Sequence, residues 1–487
     1  MKVLCLAFLS CGLALGQAKK PQRPPELEAF FSTALSFPAE YAADLVFDVL
    51  EHGAVKDNAW KIELLEEVFR RASGAKNAYS HCDVSRPLCD SSPVVLGGRL
   101  DTLSVQCRVV ERMLLLSRKR ARELFDEIPP IRLSIVPCKD PRIYDVSIYY
   151  RTLAALYNNA FTDAERKREE DVDFVRAPFQ ALTGLEQFAP ASAALRAMNL
   201  PPALRRELTM RLAEQLPNAA GNDRQFTYAD NKLKLSKEIM ELGGGEPVIA
   251  VYRKLLLAHR AMPRCADAKD ITESIKFFNE SMVADVDASR LRITDDPPPR
   301  EVSDAAVRHP LTFPDFGGLI GRLGQRQNGD PERNVDEDNA LDAQAADFLE
   351  KLERSEDDPD GCKGCGFQVK EEVYMVFIDR LRGPVQAAAL EAYLALLARD
   401  PRQFDSPMDW ISAVKGLLLL TRTMTPEDEK RIKEMQAHGY ELNMLPSPNA
   451  AKILESARRG GNPFLAAYAW AESIAPRPYD ASHFYQK

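Results

Sequence analysis

The spacing of apolar residues most constrains this chain, because it recurs at helical intervals from near one end to the other. In Pro38–Leu50 the residues Ala42, Val46, Val49 and Leu50 fall on one helical face, and His52-Gly53 then supplies a cation near the last carbonyls and a residue free to take positive φ. Asp57–Arg71 carries Trp60, Leu64 and Val68 with the neighbouring Leu65 and Phe69, so the two stretches predict a helical hairpin. The pattern returns in Ala340–Arg354, through Leu341, Ala345, Phe348, Leu349 and Leu352, and in Val385–Ala398, which ends at Arg399-Asp400-Pro401. Strand-like alternation is confined to Ile131–Val136 and Val373–Ile378, and the second reads better as helix.

Helix starts are equally legible. Thr162-Asp163-Ala164-Glu165 and Asp270-Ile271-Thr272-Glu273 have capping-box spacing, and Ser406-Pro407 and Thr425-Pro426 place proline at a first helical position, where its missing donor costs nothing. Gly243-Gly244-Gly245-Glu246-Pro247 is a hard break, with helix resuming over Val248–His259. These segments amount to roughly 16 to 20 helices with short connections, an all-α grammar of stacked hairpins. In architecture the chain resembles α-solenoid proteins of the tetratricopeptide and HEAT kind, most closely in the Pro38–Arg71 hairpin. No fixed 34-residue period runs through the chain, so the resemblance implies a fold class and transfers no binding residues.

One region breaks the pattern. Asp295-Asp296-Pro297-Pro298-Pro299, His309-Pro310, Phe313-Pro314, Gly317-Gly318 and Gly329-Asp330-Pro331 cannot sit in a continuous core helix. We therefore expect an N-terminal helical region over 25–286, a linker or long irregular loop over 287–339 with a short helix near Phe316–Leu323, a C-terminal helical region over 340–475 and a tail over 476–487. Asp330–Asp360 holds 13 acidic and three basic residues, so the net charge of −8 belongs to that segment, read as a solvated face. The acidic balance disfavours a nucleic-acid binder, which needs a basic face for phosphates.

The chain begins Met1-Lys2, runs apolar from Val3 to Leu15 and turns polar after Gly16-Gln17-Ala18, the order of a secretory signal peptide over 1–17. An apolar run of about 13 residues falls short of a bilayer span, and no later segment approaches one. A lipoprotein anchor at Cys11 would need a Leu-Ala-Gly-like triplet, from which Phe8-Leu9-Ser10 departs at its first position. The expectation is export to a periplasmic or extracellular space.

Seven cysteines then remain: Cys82, Cys89, Cys107, Cys138, Cys265, Cys362 and Cys365. In an oxidising compartment, neighbouring cysteines in loops should bridge, which nominates Cys82 with Cys89 and Cys362 with Cys365. Cys107 lies on the apolar stripe of Leu103, Val110 and Leu114 and suits the free thiol that an odd count demands.

Cys362-Lys363-Gly364-Cys365 also admits redox and zinc readings. A preceding acidic loop opposes a stabilised thiolate, Gly366 stands where a haem site needs histidine, and Cys82 with Cys89 is a poor second half for zinc. The Glu356–Gly361 stretch lacks the twelfth-position glutamate of a calcium loop, reaching Phe367 instead. The six histidines form no metal spacing, and neither a nucleophile elbow nor a phosphate loop is present. Glu66-Glu67 and Glu169-Glu170 read as solvated surface. No metal and no cofactor are therefore expected, and catalytic residues are not assigned. The leading functional expectation is a non-catalytic scaffold that offers a helical groove to a protein or peptide. An all-α hydrolase of cell-wall glycan or polysaccharide is the alternative, needing only two facing carboxylates, and thiol redox work by Cys362 and Cys365 is a third.

Overall fold

The computed structural model describes residues 23–476, apart from 84–98, 139–141, 181, 220, 222, 232–234, 242–244, 261–263, 266–270, 284–288, 295–301, 304–317, 320–321, 324–334, 356–364, 382, 422–425 and 438–449. Two helices open it, α1 (Pro25–Ala34) and α2 (Ala39–Glu51). Every residue of α2 from Ala39 to Val49 is buried, including Glu40, Asp44 and Asp48. The apolar stripe of Ala42, Val46 and Val49 marks only one of its covered faces. A helix enclosed all round belongs at the centre of a packed structure, and that is where α2 sits.

Its C-terminus follows the sequence logic: the ring Nδ1 of His52 lies 2.6 Å from the carbonyl of Asp48, and Gly53 adopts φ +70°. Next comes α3 (Asn58–Arg71), capped by the Asp57 carboxylate accepting from the amide of Ala59. The chain continues through α4 (Thr102–Leu116), α5 (Arg118–Asp126), α6 (Ser147–Asn159), α7 (Asp163–Lys167), α8 (Glu170–Arg176), α9 (Phe188–Ala197) and α10 (Pro202–Gln215). Then follow α11 (Asp223–Asn231), α12 (Leu235–Glu241), α13 (Gly245–Arg260) and α14 (Thr272–Phe277). The C-terminal helices are α15 (Val335–Arg354), α16 (Cys365–Arg380), α17 (Gly383–Arg399), α18 (Arg402–Asp405), α19 (Pro407–Leu419), α20 (Pro426–Ala437), α21 (Ala450–Arg459) and α22 (Pro463–Ile474). The described chain is thus predominantly α-helical.

Helix boundaries follow local chemistry. The capping box at Thr162 and Glu165 is formed in both directions. The second box begins at Asp270, which lies outside the described residues; α14 starts at Thr272, directly after the buried Ile271. Val373–Ile378 lies inside α16. Helix α15 begins at Val335, inside the stretch expected as linker, and residues 318–319 and 322–323 are helical with Leu319 and Leu323 buried.

Ile131–Val136 has the buried Ile131, Leu133 and Val136 expected of an alternating strand, yet it joins no sheet. Side chains bond its backbone instead. The Leu133 amide donates to Thr183 Oγ1 at 2.9 Å, the Arg132 amide to the Tyr79 hydroxyl at 2.9 Å and the Val136 amide to Gln225 Oε1 at 3.3 Å. The described strands form two small pairs, β1 (Ser80–Asp83) antiparallel to β2 (Arg142–Asp145) and β3 (Arg264–Cys265) parallel to β4 (Val302–Ser303).

Helix packing proceeds mainly between near neighbours, α3 on α4, α4 on α6, α6 on α9, α9 on α10 and α10 on α13. On the other side of the first hairpin, α1 and α2 pack against α22, and α2 also packs against α19. The two ends of the described chain therefore share one core. Tyr41 stacks on Phe464 at 4.3 Å, and Phe30 meets Trp470 edge-on at 5.3 Å.

Candidate functional site

Three arrangements stand out: an enclosed charge cluster, an isolated buried carboxylate and two surface grooves. The first lies where α2, α4, α19 and α22 meet. Asp44 and Asp48 are one helical turn apart, so both project from the same side of α2. Lys415 comes from the apolar stretch of α19 and reaches Asp44 Oδ2 at 2.7 Å and Asp48 Oδ1 at 3.0 Å. The Tyr468 hydroxyl of α22 donates to Asp44 Oδ2 at 2.8 Å.

Asp44 is 0% and Lys415 1% exposed, so neither charge is hydrated. Burial raises the Asp44 carboxyl above its usual range, opposed by Lys415 and reinforced by Asp48. Burial also lowers the guanidinium of Arg108, with Asp44 and Asp48 opposing. Arg112 is pushed down to about 10, again chiefly by burial. Both guanidinium groups lie over the Phe47 ring at 4.3 Å, and Arg112 is ion-paired with Glu51. The cluster joins residues 367 and 371 positions apart in the chain. Its chemistry is that of a latch from α2 to α19 and α22: opposite charges brought together in an enclosed space.

The second arrangement centres on Glu186, which is fully buried. Gln225 Nε2 donates to its Oε1 at 2.7 Å, while Oε2 has no hydrogen-bond partner among the described residues. Burial pushes this carboxyl up to about 7. Beside it, Arg224 donates to the carbonyl of Cys138, and Cys138 is bonded to Cys265 with a Cα–Cα separation of 5.3 Å.

That bridge spans 127 residues, and sequence reasoning based on proximity missed it. Of the expected pairs, Cys82 lies in β1 opposite Ile143 in β2, whereas Cys89, Cys362 and the side chain of Cys365 lie outside the described residues. Cys365 is the first residue of α16. Cys107 is a buried free thiol, as its place on the apolar stripe suggested, and burial raises its pKa above the usual thiol range. The signal region 1–17 and the 476–487 tail beyond Pro476 also lie outside the described residues.

The surface acids are engaged in ion pairs: Glu66 with Arg120 at 2.6 Å, Glu67 with Arg71 at 2.6 Å and Glu170 with Arg168 at 2.7 Å. Among the described residues, no group of three His, Cys, Asp or Glu side chains is placed to hold a metal ion, and no helix is long and apolar enough to cross a membrane.

The grooves are the accessible features. One, of about 520 Å³, runs between α1 and α3, with Phe31, Leu35, Trp60 and Leu64 as its apolar lining. Four glutamates, Glu28, Glu63, Glu66 and Glu67, face two arginines, Arg23 and Arg70, around it. The Trp60 ring is fixed by an edge-on contact with Phe31 at 5.4 Å. The second, of about 350 Å³, lies between α6 and α9 and is walled by Ala154, Ala189, Ala193 and Ala197, with Arg151 and Glu238 among its polar residues.

Among the described residues, fold and site together define a predominantly α-helical protein in which α2 is tied to α19 and α22 through a buried ionic latch and whose surface carries open grooves. No protein-family model, no curated protein and no solved structure matches the chain.

Proposed function

We propose that this is an exported, non-catalytic helical scaffold that binds a protein or peptide, and that the groove between α1 and α3 is its binding surface. The observation that carries this reading is the groove itself, a concavity of about 520 Å³ in which a rigid aromatic pair is ringed by charged side chains. Aromatic surface at low entropic cost, surrounded by groups that fix orientation, is the usual composition of a recognition site. Stacking of neighbouring hairpins in the manner of an α-solenoid would place such grooves along one surface. The disulfide between Cys138 and Cys265 supports passage through an oxidising compartment.

The alternative, a hydrolase of cell-wall glycan, calls for facing carboxylates open to substrate. The two that converge on Lys415 are enclosed and ion-paired. The test is co-purification from an extracytoplasmic extract of the source cells, using the intact chain and a Glu63→Gln/Glu67→Gln variant as parallel baits. The reading expects a defined partner that the variant recovers in much smaller amount. Recovery of nothing beyond background, or of identical material by both baits, would contradict it.

A further inference from the structure

Arginine at position 23 lines the groove in an informative way. Its guanidinium carbon lies 5.0 Å from the centroid of the Trp60 ring, and its NH2 reaches Glu63 Oε2 at 2.5 Å. An aromatic face with a carboxylate at its edge is a guanidinium-reading arrangement, since the ring quadrupole and the carboxylate both favour a cation. The receptor half is rigid, because Trp60 and Phe31 are buried and belong to the core shared with α22. The occupant is not. The Arg23 side chain is 31% and that of Glu63 57% exposed, so this is a surface ion pair of the kind that contributes little to folding.

With Arg23 in place, one of the four groove glutamates is still left without an ion pair among the described residues. Glu66 is engaged by Arg120, and Glu67 by Arg70 and Arg71. Glu28, exposed on α1, has no ion pair among the described residues. We infer that the groove between α1 and α3 recognises an arginine-bearing extended peptide segment of a partner protein, and that Arg23 is a tethered stand-in which the partner's arginine displaces from Trp60 and Glu63. This rests on the binding function proposed above and names the chemistry of its ligand. A tethered side chain competes at high effective concentration, so the intact chain binds such a segment more weakly than a chain without Arg23.

The probe is a fluorescein-labelled peptide of this chain's own residues 19–27, Lys-Lys-Pro-Gln-Arg-Pro-Pro-Glu-Leu, with a second peptide carrying glutamine in place of its arginine. Binding is read by fluorescence anisotropy against the intact chain, Arg23→Ala and Arg23→Ala/Glu63→Gln. The substituted side chains are at the surface, and circular dichroism checks that each variant is folded. Expected is binding to Arg23→Ala that is about tenfold or more tighter than to the intact chain. It should weaken on adding Glu63→Gln and be lost with the glutamine peptide. Equal binding of both peptides, or no gain on removing Arg23, overturns the inference. If the peptide fails while the extract still yields a partner through the groove, only the guanidinium chemistry is wrong; if both fail, the binding function falls as well.

Discussion

Replacing Lys415 with methionine removes a cation paired with both Asp44 and Asp48 while roughly conserving side-chain volume, so the cavity contribution is small. Two carboxylates remain in an enclosed space with their shared partner gone, and breaking a buried pair from one side costs about 3–5 kcal/mol; Arg108 and Arg112 still oppose them. Tyr468 still donates to Asp44, which places the expectation toward the lower end.

The cost depends on pH with a definite sign. Burial already holds the Asp44 carboxyl above its ordinary 3.8, and Lys415 is the chief opposing influence, so its removal raises the value further. A carboxyl raised in the folded state contributes stability that is complete below the unfolded value and disappears as pH rises through the folded one. The Lys415→Met deficit is therefore larger at pH 8 than at pH 5. Urea unfolding followed by tryptophan fluorescence suits the measurement, since fully buried Trp410 lies on the same helix as Lys415. A Lys415→Met/Asp48→Asn variant, which removes one negative charge with the cation and keeps Asp44 opposite Arg108, should recover much of the loss. A deficit under about 1 kcal/mol, equal at both pH values and unrelieved in the double variant, would refute the latch, since that is the scale of a surface pair.

Three further outcomes follow from the structure. Glu186→Gln should flatten the pH dependence of stability: the gap between about 7 in the folded chain and the ordinary 4.5 corresponds to about 3 kcal/mol, present below pH 4.5 and lost as pH rises through 7. Denaturant titrations at pH 5 and pH 8 would show parallel behaviour of variant and parent if the carboxyl were not involved. Removing the bridge with Cys138→Ser/Cys265→Ser should destabilise by about 2–5 kcal/mol, given a closed loop of this length, and peptide mapping of the non-reduced chain should recover the 138–265 linkage. Asn462 caps α22 through the amides of Phe464 and Leu465, so Asn462→Ala should cost about 1 kcal/mol in the same unfolding assay.

What the sequence revealed and what it hid divide by range. Helix ends at His52-Gly53, Asp57 and Thr162 are written in residues within a turn of one another, and each is formed as the local pattern indicates. The ionic latch was less legible, because its partners are hundreds of residues apart. A faint signal existed: Lys415 is the lone charge in the run from Trp410 to Leu420, and Asp44 and Asp48 interrupt the otherwise apolar stretch from Tyr41 to Leu50. Such charges require partners inside the protein. The link between Cys138 and Cys265 had no local signal at all, since disulfide pairing depends on folded distance, and only the parity of the cysteines constrained it. In the groove, Trp60 was legible as an apolar helix position. The placement of Arg23 over the Trp60 ring depended on how the segment entering α1 crosses α3.

Site-specific photocrosslinking from the groove tests the central claim most directly. A benzoylphenylalanine replaces Glu28 on its rim, with the same group at Lys430, which is 79% exposed on α20, as control. Irradiation in an extract of the source cells should give a discrete adduct from position 28 that is absent from position 430 and suppressed by the arginine peptide. The same products from both positions, or none from position 28, would contradict the assignment of this groove as the binding surface.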